Sequence, residues 1–69
     1  MKSTFKHGDL VQDDLTEETY VYLGIEEDED TKRALREVFG GGVVHMLKFV
    51  RTKKIEYRKK IGRLSRIGA

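Results

Sequence analysis

The chain has no cysteine, no proline and no tryptophan, and only two histidines. Without cysteine, neither a disulfide nor a thiolate zinc site can staple it together, which fits a reducing, cytoplasmic setting. Without proline there is no stiff polyproline linker. No apolar run approaches the ~20 residues that cross a bilayer. The opening MKSTFKHGD lacks the apolar stretch of a secretion signal, so no leader is expected. The histidines, His7 and His45, stand far apart and follow no spacing such as HExxH, so no metal and no cofactor are expected. His45 lies in an apolar stretch and reads as a packed histidine; His7 reads as a turn residue. The acidic run Glu26–Asp30 lacks the glycine and the twelve-residue ligand spacing of an EF-hand loop. Gly40-Gly41-Gly42 precedes an apolar strand pattern rather than a helix, which excludes a phosphate loop. The serines, Ser3 and Ser65, lie in charged stretches with no base and orienting group in pattern around them. These absences together lead to the expectation that the protein is not an enzyme.

What is present is a sharp division of charge. Residues 1–42 carry five bases and eleven acids, a net of −6, and residues 43–69 carry nine bases and one acid, a net of +8. Sixty-nine residues predict one domain, 1–69, with residues 1–7 a polar lead-in anchored only by Phe5. A chain of this size buries only about 60% of its unfolded surface, so its core is small or is completed by a partner.

Period-two and period-3.6 patterns divide the chain into elements. Gly8 to Gln12 reads as a turn and a short strand. Thr19 to Ile25 is the clearest strand: Val21, Leu23 and Ile25 alternate with Tyr20, Tyr22 and Gly24. The aliphatic set is expected to face the core, with the tyrosines packing across strands on the other face. Asp28 or Asp30 can cap a helix over Thr31–Phe39, whose stripe pairs Ala34 with Val38 and Leu35 with Phe39. About nine residues cannot hold a helix alone, so the stripe is expected to dock on a sheet or another chain. Val43–Val50 is apolar on both faces and predicts a strand covered on both sides. After the polar turn Arg51-Thr52-Lys53-Lys54, Ile55 and Tyr57 share a face of a short strand. Ile61, Leu64 and Ile67 suit a helical turn and a short closing strand; one helix over Ile55–Ile67 is the rival, at a cost of about 1 kcal/mol for Gly62. The expected core is Val11, Val21, Leu23, Ile25, Leu35, Val38, Phe39, Val44, Met46, Leu47, Phe49, Ile55, Leu64 and Ile67.

Gly8-Asp9-Leu10-Val11 near the start and Leu64-Ser65-Arg66-Ile67 near the end, with the strand order between them, resemble the small SH3-like barrels. These include KOW-type ribosomal and transcription-factor modules and small phage proteins. The resemblance implies a mostly β fold: a small SH3-like barrel with one short helix inserted between strands 2 and 3. In the KOW modules a basic turn near the start contacts RNA. Here Asp13 to Glu18 is acidic, which moves the candidate surface to the C-terminal half.

That half holds the strongest functional signal. Arg51, Lys53 and Lys54 cluster in one turn, Arg58, Lys59 and Lys60 follow the next strand, and Arg63 extends the line. Several cations on one face bind phosphates by releasing counterions. Arg adds planar, bidentate phosphate geometry. Tyr57 lies between two clusters, where it can stack a base. The expected role is non-catalytic binding of nucleic acid or ribonucleoprotein through these eight residues. The alternative is a protein-interaction module, acting on a host protein if phage-encoded, or a homodimer.

Overall fold

A computed structural model of the protein describes residues 5–67. Five antiparallel strands and one helix follow in the order β1 (Leu10–Asp13), β2 (Thr19–Ile25), α1 (Glu29–Phe39), β3 (His45–Phe49), β4 (Ile55–Arg58) and β5 (Leu64–Arg66). The five strands form one sheet in the order β4-β3-β2-β1-β5. The pattern of residues 55–67 is thereby strand, turn and strand, not one helix. Within the expected lead-in of residues 1–7, Phe5 is buried; residues 1–4 lie outside the described residues.

The sheet is open, which overturns the SH3-like barrel that the sequence resembles. β4 and β5 are its two edges and do not pair with each other. Closing a barrel needs strands long enough to tilt and stagger around the axis. Here β4 has four residues and β5 three. The sheet has a curving device, a register shift between Tyr22 and Gly24 against β3, with Gly24 at φ 107°. The mostly β composition and the single helix between the second and third strands stand as predicted.

One face of the sheet carries the core. Phe5, Val11, Tyr20, Tyr22, Leu47 and Leu64 are buried together, with Phe49 and Ile61 packed against them. The registers Val11↔Tyr20↔Phe49 and Tyr22↔Leu47↔Glu56 place these residues on one side. On β2 the face is the reverse of the expected one: the tyrosines are buried, Val21 and Leu23 are half-buried and Ile25 is exposed. The physical reason is size and satisfaction. Each aromatic ring offers about 150–250 Å² to bury, and each hydroxyl finds a partner on the same face. The rings also pack on one another, Tyr20 on Phe49 at 4.7 Å and Phe5 on Tyr22 at 5.7 Å.

Among the described residues, the opposite face has no second layer. α1 was expected to supply it, yet none of its residues is buried and Val38 is 76% exposed. No strand lies close to it. Its ends are well made nonetheless. The Asp28 carboxylate accepts from the Thr31 amide at 2.9 Å, and Gly40 closes the helix in the left-handed region with its N–H donating to the Arg36 carbonyl. The uncovered helix and sheet face explain the remaining differences from the expected core. Val38 and Ile55 are exposed, and Leu35, Phe39, Met46 and Ile67 are only half-buried; Ile25, exposed as well, lies beyond the register shift, opposite His45 at the end of β2.

Candidate functional site

The centre of the concave face is polar. Asp13 ends β1 with its side chain fully enclosed. By period two it shares the face of Val11, which points it inward. Its Oδ1 accepts from the amides of Leu15 (2.8 Å) and Thr16 (3.2 Å), which fixes the turn into β2. Its Oδ2 accepts from Arg58 Nη1 at 2.8 Å and Arg63 Nη2 at 3.3 Å. Arg58 belongs to edge strand β4 and Arg63 stands just before edge strand β5. One carboxylate of β1 thus ties the two ends of the open sheet together through side chains, where a barrel would use backbone hydrogen bonds.

Arg58 is the hub of this network. Its side chain is 15% exposed, and it donates from Nε to Glu56 at 2.6 Å and from Nη2 to the Tyr20 hydroxyl at 2.9 Å. The hydroxyl in turn donates to Glu56 Oε1 at 3.3 Å. The guanidinium also lies over the Tyr20 ring, 5.2 Å from its centroid. Burial alone would lower the Arg58 pKa; the hydrogen bonds to Glu56 and Asp13 outweigh it and raise it. Burial alone would likewise raise the Asp13 pKa. The amides of Leu15 and Thr16 and the two guanidinia hold it well below the usual carboxylate range.

The other sequence-predicted residues fall into three groups. Arg51 pairs with Glu18 at 2.9 Å across the neighbouring turn, and Lys59 donates from Nζ to the Phe39 carbonyl at 3.0 Å, securing the end of α1. Lys53, Lys54 and Lys60 are exposed, and among the described residues they form no ion pair. Tyr57 is half-buried and pairs with Met46 on the face opposite the core. β4 therefore carries Lys53 and Lys54 before it, Tyr57 within it and Lys59 and Lys60 after it, on an edge whose outer side no strand covers. These cations flank a strand that spans roughly 10–14 Å.

The acidic run of residues 26–30 turns inward on its own helix. Its ion pairs are Glu29 with Lys32 and Asp30 with Arg33, and its N-cap is Asp28. Among the described residues, none of its acids pairs with a cation of residues 51–66. A cluster of exposed bases near the C-terminal strands is thus left open as a binding surface.

His45 lies beside Tyr22, with 2.8 Å between Nδ1 and the hydroxyl. Burial pushes the His45 pKa down and the Tyr22 pKa up. Among the described residues, no three His, Asp or Glu side chains gather as a metal site. No helix there is long and apolar enough to cross a membrane. No protein-family model, curated protein or solved structure matches this chain.

Sequence reasoning missed Asp13, Tyr20 and Glu56 as a unit. The signal was available in part: Asp13 is two residues from Val11 on a strand, so an inward carboxylate was implied. Its side-chain partners, Arg58 and Arg63, lie 45 and 50 residues further along the chain, and no local pattern links them.

Proposed function

We propose that this protein is a non-catalytic polyanion-binding module whose ligand is single-stranded nucleic acid, held along edge strand β4. The observation that carries this reading is the separation of charge. Buried Asp13 and half-buried Glu56 occupy Arg58, the acidic run occupies α1, and Lys53, Lys54 and Lys60 remain exposed without acidic partners among the described residues. Each lysine that neutralises a phosphate releases counterions, which makes such binding strong at low salt and weak at high salt. Tyr57 stands between the two lysine clusters and offers a ring for one base. The single-layer sheet supports the same reading, because among the described residues α1 does not cover the face that bears Tyr57.

Within this reading Arg58 organises the site and the lysines with Arg63 make the contacts. Fluorescence anisotropy of a labelled oligothymidylate at low salt tests it. Saturable binding that falls steeply as salt rises is expected, and no binding at low salt would reject the reading. A protein partner is the second reading, favoured by the uncovered helix face at Val38 and by the exposed β4 edge. A chain that is dimeric in light scattering and indifferent to nucleic acid would support it instead.

A further inference from the structure

A pocket of about 290 Å³ opens between the end of β4 and the start of β5, lined by Arg58, Lys60, Gly62 and Arg63. We propose that it is an oxyanion seat that takes one phosphodiester group, an inference that rests on the polyanion reading and gives it a fixed point. Three of the four lining residues are cations, and no acid is among them. The nearby carboxylates are turned to other work: Asp13 is fully enclosed, Glu56 accepts from Arg58 Nε and the Tyr20 hydroxyl, and Asp14 accepts from the Ser65 hydroxyl.

The walls are built before any ligand arrives. Asp13 Oδ2 accepts from both guanidinia, so Arg58 and Arg63 are held on one anchor rather than waving in solvent. A guanidinium has five N–H donors. Arg58 uses three, toward Glu56, Asp13 and Tyr20, and keeps one on each Nη for an anion. Arg63 is 58% exposed and spends one donor on Asp13. Lys60 adds a mobile ammonium. Lys60 has no acidic partner among the described residues, which leaves its charge for a monoanionic diester. Gly62 contributes no side chain, and a Cβ built on it meets no atom within 4 Å. The volume lies just under the range of about 300–1,000 Å³ for ligand pockets, which leaves room for a phosphate group with its ester substituents but not for a large cofactor.

The test is an amide-shift titration of the full chain labelled with ¹⁵N, using inorganic phosphate, dimethyl phosphate and a short oligothymidylate in turn. All three should move the Gly62 and Arg63 amides saturably. Gly62→Asp sets a carboxylate in the pocket where there is open space, so the fold is kept, as unchanged amide positions in the sheet will verify. It should weaken dimethyl phosphate at least about threefold, the effect of one like charge at ~6 Å in water. Lys60→Gln should weaken it too, without touching the Asp13 anchor. If dimethyl phosphate leaves both amides still, or binds Gly62→Asp as tightly as the parent, the seat is rejected. Shifts with inorganic phosphate alone would also overturn the diester assignment. If the oligothymidylate binds while these amides stay still, the seat falls and the polyanion reading stands. If dimethyl phosphate fills the pocket but the oligothymidylate does not bind, the seat stands and that reading falls.

Discussion

Replacing Arg58 with methionine should destabilise the protein severely, although the residue belongs to a run of surface-like bases in the sequence. Methionine keeps most of the volume and removes every donor. Three hydrogen bonds are lost, at 2.6 Å to Glu56, 2.8 Å to Asp13 and 2.9 Å to Tyr20. Removing one member of a buried ion pair costs about 3–5 kcal/mol when the other is orphaned. Here the orphaning is partial. Asp13 keeps the amides of Leu15 and Thr16 and the Arg63 guanidinium, and the Glu56 side chain is 30% exposed and can take water. The expected loss is therefore about 2–3 kcal/mol. For a domain of this size that lowers the melting temperature by about 8–24 °C. The whole stability expected for such a chain is only about 3–10 kcal/mol, so the variant will stand near the edge of folding. Urea denaturation followed by circular dichroism measures the loss. Arg58→Lys should recover only part of it, because an ammonium cannot span the three partners that the guanidinium fork reaches. In a double-mutant cycle, Asp13→Asn and Arg58→Met should together cost less than the sum of the single changes. A loss below about 0.5 kcal/mol for Arg58→Met would class the network with ordinary surface pairs and refute its role in tying the sheet edges.

Other expectations are readily checked. Because burial lowers the His45 pKa from its ordinary 6.5, the unfolded chain takes up a proton there before the folded one does. Stability from His45 is therefore complete above pH 6.5 and falls as pH drops below it; His45→Gln, which cannot titrate, should flatten melting temperature against pH across that window. The depressed Asp13 pKa acts lower: its contribution is present above the ordinary 3.8 and is lost as pH falls beneath that value, so acid unfolding should come earlier in Arg58→Met than in the parent. Glu17 holds φ at 65°, a left-handed conformation, and Glu17→Gly should raise stability by about 0.5–1 kcal/mol in thermal melts. Val38→Lys should change stability by less than about 0.5 kcal/mol, since the side chain is 76% exposed; a larger loss would show that α1 is covered in solution.

Strand positions were legible because alternation is a local signal. Thr19–Ile25 was found at its observed limits, and the helix over 31–39 was short by two residues because Glu29 and Asp30 read as part of the acidic loop. Which face of β2 points inward was not legible. Val21, Leu23 and Ile25 are the more apolar set, but the choice was decided by ring area and by partners for two hydroxyls, supplied by His45, Glu56 and Arg58 from other strands. Closure was not legible either. Strand order and turn residues are alike in an open sheet and a barrel, and the difference lies in edges too short to meet. The basic run was plainly visible as charge. Its division was not: Arg58 and Lys60 are two residues apart, yet one is tied into the core by Asp13, Tyr20 and Glu56 and the other is exposed, and two of those three partners lie 38 and 45 positions upstream of Arg58.

The central claim is that the lysines flanking β4 meet phosphates while Arg58 holds the fold. The most direct measurement is the slope of log affinity against log salt for a single-stranded oligonucleotide, taken for the parent and for Lys53→Gln/Lys54→Gln/Lys60→Gln. The account predicts a variant that melts like the parent, binds more weakly, and has a slope shallower by about 0.7 for each lysine that contacted a phosphate. A variant with the parent's slope and affinity would contradict it.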